Sequence, residues 1–159
     1  MSLLRSINKS RWDRVWEPTD EVPAKALLDL IRDRDLSVYE VADEESAQKT
    51  AIILAANREH IDTMDYALFE SADMGTIGIT IDESPGSTQN DEVNSLHRDL
   101  LDITASKACG LANLIGINGK ITRMVPSKVR KLISEYCDQG ILDVDKLSEG
   151  IRQKILAKR

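Results

Sequence analysis

Residues 36–56 read LSVYEVADEESAQKTAIILAA, and the way this stretch divides decides the fold. Leu36, Val38 and Val41 are interleaved with Ser37 and Glu40, a pattern that suggests a strand. Asp43, Glu44 and Glu45 then place negative charge at the start of a helix, where the helix dipole favours it. Ala51–Ala56 is wholly apolar, so a helix over Ala47–Glu59 is expected to be deeply buried. An extended piece, Tyr66–Glu70, follows, which makes the stretch part of a strand–helix–strand unit. Short connections in such a unit favour a right-handed parallel crossover.

Toward the N-terminus, Leu3–Ile7 is short and apolar and reads as an edge strand. Arg11-Trp12-Asp13-Arg14-Val15-Trp16 holds both tryptophans of the chain, and Pro18 and Pro23 then break it. After Pro23, which suits a first helical turn, Ala26, Leu27, Leu30 and Ile31 share one face of a helix running to about Asp33. In the other direction, Asp73-Met74-Gly75 reads as a turn into Ile77–Ile81, an alternating strand that would form a hairpin with Tyr66–Glu70. Asp82–Asp91 carries a Pro-Gly dipeptide and almost nothing to bury, which marks a connector. From Glu92 the spacing of Val93, Leu96, Leu100, Ile103, Ala108, Leu111 and Ile115 is helical. Asn118-Gly119 reads either as the stop of that run, which is preferred, or as the turn of a small hairpin, Leu114–Ile117 against Lys120–Met124. Pro126-Ser127 opens another helix, with Val129, Leu132, Ile133 and Tyr136 facing inward and Gly140 as its stop. Asp143 or Asp145 caps a last helix, with Leu147, Ile151, Ile155 and Leu156 expected to face in.

The expected fold class is α+β. An α/β layer with a mixed, partly parallel sheet over residues 1–83 is joined by a connector, 84–91, to a helical half, 92–159. The two halves are expected to pack as one cooperative unit.

Composition limits what such a chain does. At 159 residues, 42% apolar but only 4% aromatic, its core must be aliphatic. No stretch approaches the roughly 20 uncharged residues of a membrane helix, so no membrane partner is expected. Met1–Arg14 carries four basic residues around a short Leu3-Leu4 run, which does not read as a signal peptide. Cys109 and Cys137 stand in unrelated contexts and read as reduced thiols of a cytoplasmic protein. The net charge of −6 is unevenly spread: residues 120–159 hold 10 Lys and Arg against 5 Asp and Glu, and the remainder holds 11 against 22.

Strings that resemble catalytic motifs fail on their spacing. His97-Arg98-Asp99-Leu100 matches the opening of a kinase catalytic loop, but Thr104 stands where that loop needs Asn for a metal. Helical periodicity also puts the string in mid-helix. His60 lies near Glu59, Asp62 and Asp65, but i, i+3 or i+4 metal spacing needs a helix, and the helix is expected to have ended here. His60 therefore reads as a favourable contact with the helix C-terminus. Ser84-Pro85-Gly86-Ser87-Thr88 is the one loop that looks like a phosphate cradle, yet Asp82, Glu83, Asp91 and Glu92 around it repel anions. The expectation is therefore no catalytic residue, no metal and no cofactor.

Two surfaces remain. Arg11, Trp12, Arg14 and Trp16 combine the residue types most enriched at interface hot spots. They make a protein-interaction or regulatory module the preferred reading, with a protein partner or self-association expected. Lys128, Arg130 and Lys131 offer the alternative of nucleic-acid contact through the basic C-terminal helices. Tyr136 is the only aromatic residue in that region, so base stacking has little support. A small enzyme whose site assembles only in three dimensions is the third reading.

Overall fold

The computed structural model describes residues 1–12, 21–32 and 36–157. In chain order the elements are β1 (Ser2–Ile7), α1 (Ala24–Leu30), β2 (Leu36–Val41), α2 (Glu44–Ala56), β3 (Met64–Glu70), α3 (Asp73–Thr76), β4 (Thr80–Glu83), α4 (Asp91–Ser95), β5 (His97–Leu101), α5 (Ala105–Asn118), β6 (Lys120–Met124), α6 (Pro126–Asp138) and α7 (Glu149–Leu156). Short 3-10 turns at Lys9–Arg11 and Val144–Lys146 complete the set.

The strands form one six-stranded sheet in the order β4-β5-β2-β1-β3-β6. Every neighbouring pair is antiparallel, so the expected mixed, partly parallel sheet is not what forms. The reason lies in β1. β2 and β3 each run antiparallel to β1, so they point the same way, and α2 does carry the chain back across the sheet. However, β1 lies between them and supplies both with antiparallel partners. The crossover is real, and the parallel pairing is not.

The edge position expected for β1 is corrected by the same observation. Leu3 and Leu4 are both fully buried, Leu3 in the core on one face of the sheet and Leu4 in the core on the other. Consecutive apolar residues facing opposite ways suit an interior strand. Helices cover both faces: α2, α6 and α7 pack on the Leu4 side, and α1 and α5 on the Leu3 side. Antiparallel sheets commonly leave one face wet, but here Leu68 and Tyr66 of β3 meet one helical layer while Ala67 and Phe69 meet the other.

Two further expectations change. His97–Leu101 is a strand, paired with β2 through Leu36–Leu100 and Tyr39–His97, and not part of a long helix. The helical spacing that starts at Val93 comes from three separate elements: α4, a single turn; β5; and α5, which begins only at Ala105. The half expected to be helical thus supplies β5 and β6 to the shared sheet. Ile77–Ile79 does not form a hairpin with β3; β4 begins at Thr80 and pairs with β5.

Local signals account for the elements that match. Asp43 caps α2 by accepting a hydrogen bond from the Ser46 amide at 2.8 Å, and Ser46 Oγ accepts one from the Asp43 amide at 3.1 Å. This reciprocal box satisfies two donors that a helix start leaves open. Pro126 opens α6, and Gly140, at φ +72°, turns the chain after it. Gly150 lets α7 dock closely, since a Cβ there would lie 2.7 Å from the Glu59 carbonyl oxygen. Ser148 Oγ donates to that same carbonyl at 2.8 Å.

Candidate functional site

At the end of the sheet where β5 stops, the chain turns sharply into α5. Asp102 makes the turn with φ of 59°, a left-handed backbone that a short polar residue such as Asp adopts more readily than most. Thr104 then caps α5, its Oγ1 accepting from the Lys107 amide at 3.3 Å. On the same side lies α1, seven residues long. Between them lies a cleft of about 640 Å³. Leu27 and Ile31 of α1 form one wall, and Leu101, Ile103 and Ala108 form the other.

The wall is apolar and partly open. Ile31 is 44% exposed and Leu101 41%, and Leu28, one residue beyond Leu27 on α1, is 59% exposed. Among the described residues, the charged side chains on the lining are Asp99 and Asp102. The cleft can accept an apolar group flanked by positive charge.

A polar row lies next to the cleft on β5 and β2. Ser37 Oγ donates to Asp99 Oδ1 at 3.2 Å. The His97 ring packs edge-on against Tyr39 with centroids 5.1 Å apart, and its Nδ1 lies 2.8 Å from Ser84 Oγ and 3.2 Å from the Ser84 carbonyl oxygen. Burial, and then the charge of Asp99, push the Tyr39 hydroxyl above its ordinary range against an opposing pull from Arg5. Ser84, His97 and Asp99 are the residue types of a hydrolytic triad, but the geometry differs. The Asp99 carboxylate is 3.9 Å from Nε2, beyond hydrogen-bond range, and one ring nitrogen serves both oxygens of the same serine. The histidine therefore fastens the loop that follows β4. Sequence reasoning missed this cluster because it read a strand as helix; the i, i+2 spacing of His97, Asp99 and Leu101 was the available signal.

The residues singled out in the sequence lie elsewhere. Arg11 is exposed in the turn after β1. Trp12 is only 4% exposed, in the core beneath α1, and its indole N–H donates to Asp29 Oδ2 at 2.8 Å. Asp29, itself 2% exposed, also accepts from the Asn8 amide at 2.8 Å and from Arg32 at 3.3 Å, so this carboxylate anchors the whole N-terminal turn. Arg14 and Trp16 lie outside the described residues. Lys128, Arg130 and Lys131 sit together on α6, with Lys128 and Lys131 exposed and Arg130 half-buried, near Lys154 of α7.

His60 is exposed in the loop after α2, and among the described residues no group of three or more His, Cys, Asp or Glu is placed to hold a metal ion. Cys109 and Cys137 are half-buried and form no disulfide. Among the described residues no helix is long and apolar enough to cross a membrane. Comparison with protein-family models, with curated proteins and with solved structures finds no match. The class is thus defined by the fold itself: a three-layer α/β/α protein with an antiparallel sheet and an acid-rimmed apolar cleft at one end.

Proposed function

We propose that the protein is a non-catalytic interaction module of the cytoplasm, and that the α1/α5 cleft receives an apolar segment of a protein partner flanked by basic residues. The observation that carries this reading is the pairing of an open apolar wall, Ile31 and Leu101, with two acids, Asp99 and Asp102, as the charges on the lining among the described residues. Interfaces gain most of their energy from a few apolar anchors seated in a pocket, while rim charges select the partner and speed encounter. A partner carrying Lys or Arg beside its anchor meets both needs. The chain's net charge of −6 favours the same partner at long range. Two cysteines outside any disulfide agree with a reducing compartment.

The test is affinity capture from native cytosol by the intact chain, with and without nuclease, beside the variants Ile31→Asp and Leu101→Asp. Both positions are exposed, so the variants are expected to fold. A nuclease-resistant partner whose capture drops at least about ten-fold in each variant supports the reading, an effect of the size expected for losing one hot-spot anchor. Capture unchanged by both substitutions overturns it. Concentration-dependent self-association of the purified chain, lost in the same variants, would replace the partner with a second copy.

A further inference from the structure

We propose that the groove between α6 and α7 binds a single phosphoryl group of a small phosphorylated ligand. Ser127, Arg130, Lys131 and Ser134 fall at i, i+3, i+4 and i+7 along α6, which puts them on one face of the helix. Lys154 of α7 stands opposite, and together they line a groove of about 290 Å³ whose apolar floor includes Ile155. Two hydroxyls, a guanidinium and two ammonium groups are the donors that phosphate oxygens accept from. Ser127 also lies in the first turn of a 13-residue helix, so the helix dipole adds charge of the same sign.

Several cations on other elements find carboxylates: Lys49 pairs with Glu92, Arg98 with Glu40, Lys120 with Glu44, and Arg123 with Asp65. Among the described residues no carboxylate lies within ion-pair distance of Lys128, Arg130 or Lys154, although the chain has more acids than bases. The groove's one acid among the described residues, Glu135, lies 3.6 Å from Lys131. Among those residues, three cations and one carboxylate leave the lining with two positive charges to be met. A phosphate monoester carries about −1.5 to −2 at neutral pH, which closes that gap.

A polymer fits less well. Asp138 at the end of α6 and Glu149 at the start of α7 would oppose a strand that ran on past the groove in their direction. The net charge of −6 opposes a polyanion, and among the described residues no aromatic side chain lines the groove to stack a base.

The test is titration of the full chain with inorganic phosphate and with pyrophosphate at constant ionic strength, followed by amide chemical shifts, with chloride as the reference anion. Saturable shifts confined to the first two turns of α6 and to Lys154, with pyrophosphate the tighter binder, are expected. In Arg130→Gln/Lys154→Gln the affinity should fall at least about ten-fold, as expected on losing charge-assisted hydrogen bonds; Lys146→Gln, outside the groove, should keep it. The shift pattern of the unmodified chain gives an answer even if the double variant misfolds. Shifts scattered over the surface, or matched by chloride, overturn the proposal. So does tighter binding of a single-stranded oligonucleotide at physiological salt, which would make the groove a polymer contact.

Discussion

Asp65 shows how one buried carboxylate holds two distant parts of the chain. It is 5% exposed on β3 and accepts hydrogen bonds from Arg123 Nε and NH2 on β6, both at 2.8 Å, and from the Lys9 amide at 2.8 Å. Burial pulls its pKa up; the Arg123 and Lys9 hydrogen bonds and charges outweigh that, so the carboxyl titrates below its ordinary range. A depressed folded-state pKa means the stabilisation is present above the unfolded value, about 3.9. It is lost as pH falls through the lower folded value. Arg123→Gln should therefore destabilise at neutral pH by about 1–3 kcal/mol, with the gap to the parent narrowing below about pH 4. Urea unfolding of both proteins across pH measures this, and an equal gap at acid and neutral pH would rule out the ion pair as its source. Trp12 teaches a different lesson. A tryptophan among arginines has the composition of an interface, yet a buried carboxylate seventeen residues away claims its N–H.

The elements differ in how plainly their residues announce them. α2 was legible, because a capped acidic start and a long Ala/Ile run allow little else. Ile52 and Ile53 are both fully buried. Ile53→Ala should cost about 2–5 kcal/mol through lost burial and the cavity left behind. A change of a few tenths in denaturant unfolding would mean the layer under α2 closes around the gap. α6 was equally legible, from Pro126 to Gly140. β5 was not. Its inward residue Leu100 falls four positions after Leu96 and seven after Val93, so three elements together mimic one helix. Periodicity cannot see the breaks when α4 and β5 are only five residues long each. The cleft was hidden for the same reason, since it forms where β5 ends and α5 begins.

At the scale of the molecule, the connector expected at residues 84–91 joins two stretches of chain that share one sheet. β5 follows it and pairs with β2, near the middle of the sheet, and β6 pairs with β3. Removing everything after Glu83 would strip β4 of its only partner and β2 and β3 of one partner each. It would also take α5 from one face and α6 and α7 from the other, exposing Leu4, Met64 and Tyr66 on one side and Ala67 and Phe69 on the other. Burial of such side chains contributes roughly 1.5–3 kcal/mol each, against a total stability of only about 5–15 kcal/mol for a domain. Met1–Glu83 alone is thus expected to lack a folded core. The intact chain should unfold in one transition, with Ile53→Ala on one face and Leu111→Ala on the other shifting the same midpoint, because β1 feeds Leu3 to one core and Leu4 to the other. Far-UV circular dichroism and amide exchange of the fragment, beside calorimetry of the whole chain, test this. A protected, cooperatively melting fragment, or two calorimetric transitions, would show that the halves are independent after all.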